Sequence, residues 1–369
     1  MSTIALDATY TVEPEPSGIA VYSRKLIEAL ARLETPHRFL LCYRLSRFGR
    51  RREFLRPSPR AGSREPHFSA RLFQEPLTFW LPWQADLFHS LAQRPPAFRF
   101  KREAVTVFDI FPITGVEYST ADFRRKFSAL LLEAVERATC VITASQYTAG
   151  QLLKHTPASS SKLRVIPLAV DPPPLTPSQE ERWRGRERLV GEGNEMILSV
   201  GVIQTRKNTL NVLRALEMLP EHYRLILAGG NGYGSEAVHD YIRRQGLASR
   251  VQVRGYVSPE ELRDLYQSAS VLLFPSLEEG FGLPVLEAMA NGLPVVASQT
   301  ASLPEVGGDA ALYVDPHDTR DIAEKVRRAV EDSQLRGMMI QQGISRAREF
   351  SWQRVAETTL QVYNEALAK

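Results

Sequence analysis

Five short runs rich in Val, Ile and Leu punctuate the second half of the chain: MILSVG (196–201), YRLILAGG (223–230), VQVRGY (251–256), SVLLFPS (270–276) and LPVVAS (293–298). Each predicts a strand buried on both faces. Between them NTLNVLRALEML, SEAVHDYIRRQGL, SPEELRDLYQSA and LPVLEAMANG place apolar residues at helical spacing. Ser258 with Glu261 predicts a capping box, and Gly292 a helix end. Strand–helix alternation of this kind predicts an α/β fold built on a doubly wound parallel sheet. The first half repeats it more loosely. STIALDA, HRFLLCYRL, ADLFHSL, AVTVFDIF and CVITAS read as strands, and SGIAVYSRKLIEALARL and STADFRRKFSALLLEAVERAT as helices. The prolines of IPLAVDPPPLTPSQEE mark a linker, and SWQRVAETTLQVYNEALAK closes the chain as an amphipathic helix with no strand after it.

This pattern divides the 369 residues into a Rossmann-like domain over 1–170, a linker over 171–185 and a second Rossmann-like domain over 186–351, with a last helix at 352–369. In such sheets ligands collect outside the carboxyl ends of the strands. The loops GVIQTRKN, AGGNGYGS, GYVSPEE and LEEGFGLP all follow strands and therefore share one rim. On it Gly280 and Gly282 allow close backbone approach, and Pro284 suits the first turn of a helix whose N–H groups favour anions or hydroxyls. Glu279 precedes that helix and Glu287 lies about one turn inside it. Two carboxylates flanking a glycine turn suit a ligand with two diol-bearing parts, such as the sugar and ribose of a nucleotide sugar. Arg206 and Lys207, on the loop after the first strand of this half, suit a diphosphate. Taken singly, each has a blander reading: Glu279 as a charge at a helix start, the two cations as a solvated loop.

Composition narrows the field. Two distant cysteines, Cys42 and Cys140, exclude a zinc knuckle and fit a reducing cytosol. GGNGYG breaks the dinucleotide spacing, and His89, His155 and His239 have no partner at metal-ligand spacing. MSTIALDATY has no signal-peptide pattern, and no run of about 18 apolar residues occurs to span a membrane. Charge is uneven: residues 1–170 carry 24 Lys+Arg against 15 Asp+Glu, and the remainder 22 against 27. Nine arginines fall between Arg44 and Arg71. They read either as a solvated loop or as a face for an anionic partner, a phospholipid surface or a diphosphate. Nucleic acid fits less well, with no aromatic-interleaved RNA motif or zinc-finger spacing.

The block PSLEEGFGLPVLEAMANGLPVVASQTASLPEVGGDAALYVDP (275–316) resembles the donor-site signature of the retaining GT-B glycosyltransferases of family 4, whose Glu-x7-Glu motif is matched by Glu279 and Glu287. ITASQYTAGQLL, IPLAVDP, VGVIQTRKN, GYVSPEELRDLYQSA and FSWQRVAETTLQVY are similar in order and spacing, so the likeness runs over most of 1–18 and 103–365. It is strongest towards bacterial mannosyltransferases that build surface polysaccharide. The resemblance implies two Rossmann-like domains facing across a cleft, with the last helix returning to the first domain. It also implies a hexosyltransferase that moves mannose, or a deoxyhexose, from a nucleoside diphosphate sugar such as GDP-mannose to a glycan or lipid-linked acceptor. No metal or other cofactor is expected, and the setting is cytoplasmic, at most peripheral on the inner membrane face through Arg44–Arg71. Phe48, Phe54 and Leu55 are the apolar residues expected to dip there.

Carried over by position, Glu279 holds the donor sugar, with the backbone of Gly280, Phe281, Gly282 and Leu283 beside it. Glu287 takes the ribose, Arg206 and Lys207 the diphosphate, and the backbone at Tyr256 and Val257 the base. Gly201, Gly229 and Gly230 complete the rim, and Gly18 brings the first domain's backbone to the phosphates. Two departures stand out. Val202 occupies a position where many relatives carry Arg. Phe108 stands where relatives carry a sugar-facing His, so the role falls to Asp109 or a backbone group, or the sugar lacks the hydroxyl that His contacts. Two other functions fit the scaffold: a nucleotide-sugar epimerase or hydrolase, and a non-catalytic nucleotide-sugar binder.

Overall fold

The computed structural model describes residues 1–54, 67–173 and 177–369. It divides into two compact units: Met1–Thr114 with Asp122–Leu168 and Ser351–Lys369, and Gly115–Ala121 with Ala169–Phe350.

The first unit holds a seven-stranded sheet: β1 Thr3–Asp7, β2 Arg38–Tyr43, β3 His67–Leu72, β4 Leu87–Ser90, β5 Glu103–Val107, β6 Cys140–Thr143 and β7 Leu163–Val165. Every pairing is parallel, in the order β3-β2-β1-β4-β5-β6-β7. Two of these strands escape the apolar-run reading. β3 carries Arg71 and lies in the arginine-rich stretch, and β7 is only three residues long. Part of that stretch, 55–66 with Leu55, lies outside the described residues. The helix Trp352–Ala368 packs on the helix Gly18–Leu30, as the GT-B resemblance implies. Its Tyr363 hydroxyl lies 2.7 Å from His89 Nδ1, and His89 Nε2 lies 2.9 Å from Thr106 Oγ1. His89 is fully buried, and that burial pushes its pKa down to about 3, so the ring is neutral.

The second unit holds a six-stranded sheet: β8 Glu195–Val200, β9 Tyr223–Ala228, β10 Val251–Gly255, β11 Val271–Phe274, β12 Val295–Ser298 and β13 Leu312–Val314. It is again all parallel, in the order β10-β9-β8-β11-β12-β13. Its inner strands are buried on both faces, which is why they read as unbroken apolar runs. Chain order reverses between β8 and β11, the place where doubly wound sheets open a crevice for ligands.

Two local expectations are corrected. Ser258 Oγ caps Glu261 N at 3.2 Å, without the reciprocal glutamate bond. The complete capping box is at Ser178 and Glu181, where it starts the helix Gln179–Val190 inside the stretch read as linker. Two satisfied N–H groups outweigh the preceding prolines there. Residues 174–176 of that linker lie outside the described set.

Candidate donor-binding site

The loops after β8 and β11 meet at this reversal. A 3-10 turn, Thr205–Lys207, presents both cations and ends at Asn208 in a left-handed conformation, φ 60°. The Asn208 amide is locked by donating to the carbonyls of Pro275, at 3.0 Å, and Pro316, at 2.7 Å. Leu277 N donates to Arg206 O at 2.8 Å, joining one loop to the other. Glu279 then lies between the cations: Oε2 is 3.0 Å from Arg206 Nη1 and Oε1 is 2.6 Å from Lys207 Nζ. All three side chains are largely buried, with 9% of Glu279, 8% of Arg206 and 15% of Lys207 exposed. Burial alone would raise the Glu279 pKa, but Arg206 and then Lys207 hold it at about 2. The carboxylate is therefore ionised throughout the neutral range. Lys207 also lies 4.5 Å over the Phe274 ring.

The turn after Glu279 is rigid. Ser302 Oγ bonds to the carbonyls of Glu279, at 2.8 Å, and Phe281, at 2.9 Å. Gly282 has φ +108°, and a Cβ there would come within 2.6 Å of Leu303. It supplies no side-chain cap to the helix Leu283–Ala290; Val285 N donates to Gly282 O at 3.0 Å, Leu286 N reaches the same carbonyl at 3.4 Å, and Pro284 has no N–H to satisfy. The positive end of this helix follows Glu279 by four residues. Phe281 itself is buried and packs edge-on against Phe350 at 6.0 Å, which gives its ring a structural part.

Glu287, one turn into that helix, accepts from the Tyr266 hydroxyl at 2.7 Å. Burial raises its pKa, and the Tyr266 bond works against the rise. Backbone bonds tie the remaining rim loops: Gly201 N to Ala228 O at 2.9 Å, Ile203 N to Gly230 O at 2.8 Å and Gly229 N to Gly255 O at 2.7 Å. Glycine at 229 follows from this closeness, because a Cβ would lie 2.0 Å from Gly201 O. Tyr256 is exposed and Val257 half-buried on the loop after β10, at the sheet edge.

Gly18 and Asp109 belong to the first unit. Gly18 opens the helix capped by Ser17, and a Cβ there would meet nothing within 4 Å. Asp109 is half-buried and follows Phe108, whose N–H is held by Gln93 Oε1 at 3.1 Å and whose carbonyl is held by Thr148 Oγ1 at 3.2 Å. The Phe108 ring stands edge-on to Tyr22, 5.0 Å between centroids. The residue at this position thus sits in an apolar ring contact.

Sequence reasoning missed the supporting groups. Asn208, Tyr266 and Ser302 fit no motif, since their partners lie 21 to 108 residues away. It also missed Tyr118, on a 3-10 turn that groups with the second unit. Burial and the charges of Glu117 and Glu278 push the Tyr118 hydroxyl up to about 12, against the pull of Arg206. Nothing in GVEYS signals that proximity.

The family profile for glycosyl transferases group 1 matches residues 181–346, and that for glycosyltransferase family 4 matches residues 16–173. O-antigen chain mannosyltransferase B of Escherichia coli is 31% identical over 271 residues, spanning 72% of this chain and 71% of that protein. The chain belongs to the group 1, family 4 glycosyltransferases. Sucrose-phosphate synthase from Thermosynechococcus elongatus shares the fold of this glycosyltransferase with a TM-score of 0.78, at 22% identity and 100% coverage of both chains. Anabaena HepE in complex with UDP-glucose gives a TM-score of 0.77 at 17% identity, covering 99% of the glycosyltransferase and 100% of HepE.

Proposed function

We propose that this glycosyltransferase moves a hexose, mannose in the first instance, from a nucleoside diphosphate sugar to a glycan or lipid-linked acceptor, with retention at the anomeric carbon. The observation that carries the reading is Glu279 pinned between Arg206 and Lys207 where strand order reverses. The donor's diphosphate lies on the two cations, its ribose on Glu287 and its sugar hydroxyls on Glu279. Negative charge grows on the diphosphate as the glycosidic bond breaks, so the cations bind the transition state more tightly than the ground state. They do so without a metal ion. A carboxylate held by two cations is a poor nucleophile. The acceptor hydroxyl therefore attacks on the face the diphosphate leaves, its proton passing to a diphosphate oxygen. The mannose assignment leans on the similarity to O-antigen chain mannosyltransferase B. The Phe108–Tyr22 contact favours a deoxyhexose as the second reading, since an apolar surface suits a missing hydroxyl.

Lipid-linked acceptors place the enzyme against an anionic membrane through the arginines of Arg44–Arg71. Among the described residues no helix is long and apolar enough to cross one. The deciding experiment is transfer from GDP-mannose, GDP-fucose, dTDP-rhamnose and UDP-glucose to a panel of acceptors, with the product anomer read by NMR and a chelator present in one arm. Retained configuration with chelator-insensitive turnover is expected. An inverted product, or donor hydrolysis without transfer, would overturn the assignment.

A further inference from the structure

Among the described residues, the large aromatic side chains that the first unit displays most openly are not the Phe48 and Phe54 that its sequence singles out. Phe48 is half-buried beneath the Arg51 guanidinium, 4.0 Å from its ring centre, and Phe54 is half-buried too. Four large apolar residues instead crowd the segment after β3: Leu77, Phe79, Trp80 and Trp83, with 60%, 57%, 44% and 80% of their surface exposed. This display is built. Phe73, Thr78 and Leu81 of the same segment are buried, and Phe73 and Leu81 belong to the core with Phe88. Thr78 Oγ1 bonds back to the Gln74 backbone at 3.1 Å. The anchored residues fix the turn so that the others face outward. Phe79 stands nearly perpendicular to Trp80 (79°, centroids 5.3 Å apart) and to Trp83 (89°, 6.1 Å).

The arginine-rich segment leaves the same end of the sheet. β2 and β3 are parallel neighbours. Phe73 N donates to Tyr43 O at 2.7 Å, Arg44 lies 6.0 Å over the Phe73 ring, and Leu45 N reaches Gln74 Oε1 at 3.4 Å. Exposed Leu45 is thus tied by its N–H to Gln74, at the start of the segment that carries the aromatic group. Among the described residues, Arg44, Arg47, Arg50, Arg51 and Arg52 surround it; the acidic groups there are Glu53, paired with Arg50, the buried Asp7, which lies within reach of Arg44's charge, and Glu75, which accepts from Ala97 N. Exposed apolar clusters rimmed by charge mark interaction surfaces. Mutually perpendicular rings offer no flat platform for a pyranose. Trp and Phe with a Leu, beside a cationic rim, match the headgroup zone of an anionic bilayer.

We infer that Leu45, Leu77, Phe79, Trp80 and Trp83 form a wedge that enters the interface of an anionic phospholipid membrane, while Arg44 to Arg52 bind its headgroups. The inference deepens the membrane contact proposed above and moves its apolar part to residues 77–83. The test is sedimentation with vesicles of phosphatidylcholine alone or mixed with phosphatidylglycerol, comparing the wild type, F79S/W83S and R47S/R52S. The wild type should bind the mixed vesicles, lose them with added salt, and have its tryptophan fluorescence quenched by brominated lipid. F79S/W83S should lose on the order of tenfold or more in partitioning, and R47S/R52S about five-fold per arginine. Both should keep the wild-type melting curve and transfer to a soluble acceptor. Binding of F79S/W83S equal to wild type, equal binding to both vesicle types, no vesicle binding, or the same tryptophan response to a soluble oligosaccharide would each overturn the inference. Vesicle binding is read without turnover, so a failed transfer assay leaves this result standing on its own.

Discussion

Glu279→Gln keeps the side chain's size and removes its charge, taking away the carboxylate that pairs with both of two nearly buried cations. Breaking a buried ion pair by removing one partner costs about 3–5 kcal/mol. The pKa gives a second route: a carboxylate lowered from 4.5 to about 2 by its surroundings has gained about 3 kcal/mol in its ionised form. In a unit of this size each kcal/mol is worth about 2–4 °C, so the variant should melt on the order of 10 °C lower. Nucleoside diphosphate should return much of that loss, because its phosphates supply the missing negative charge. Its stabilising shift should therefore be larger in the variant than in the wild type. The assay is thermal unfolding of both proteins with and without nucleoside diphosphate. A variant melting with the wild type would refute the structural part of this reasoning. A nucleotide shift in the wild type but none in the variant would refute the replacement of Glu279's charge by the diphosphate. The sign with pH is fixed as well. Glu279's contribution is complete above about 4.5 and is lost as pH falls towards about 2, so the gap between the two proteins should close across that window.

Arg206→Ala and Lys207→Ala should each lower turnover and weaken nucleoside diphosphate binding, seen in steady-state kinetics and calorimetry; unchanged binding would remove the diphosphate assignment. Glu287→Ala should weaken nucleoside diphosphate several-fold, whereas Tyr266→Phe, which removes only the donor to Glu287, should have a smaller effect; equal affinity in Glu287→Ala and wild type would end the ribose assignment. Tyr363→Phe leaves His89 Nδ1 without its partner and should cost about 1–3 kcal/mol in denaturant unfolding, with nucleotide affinity unchanged. Because His89 titrates at about 3 when folded against 6.5 otherwise, stability should be full above pH 6.5 and fall by about 2 kcal/mol by pH 5, a slope that His89→Gln should flatten.

The inner strands of the second sheet were legible because burial on both faces demands unbroken apolar runs, and β8, β9, β11 and β12 meet that demand. β3, β7 and β13 were not read as strands. All three are peripheral, and β7 and β13 are three residues long, so neither run length nor alternation marks them. The carboxylates and cations of the candidate site were legible because glycine turns and adjacent charges are local signals. Their mutual pairing was not: Lys207 and Glu279 are 72 residues apart, and only the strand order that brings β8 beside β11 makes them neighbours. The aromatic display at 77–83 was missed for a related reason. Alternating buried and exposed residues in an irregular segment follow no period.

The return of the helix Trp352–Ala368 to the first unit has a bearing on how the chain is made. A ribosome releases the last strand of that unit, β7, and must then add some 180 residues before Ser351 emerges. At about 5–20 residues per second this is on the order of 10–40 s. During that interval His89 lacks its Tyr363 partner and the helix Gly18–Leu30 lacks its covering neighbour. The second unit, apart from Gly115–Ala121, is continuous in sequence and can close while the first still waits. The part synthesised first is thus completed last, and for that time its uncovered face is open to any chaperone, or any mispairing, that reaches it first.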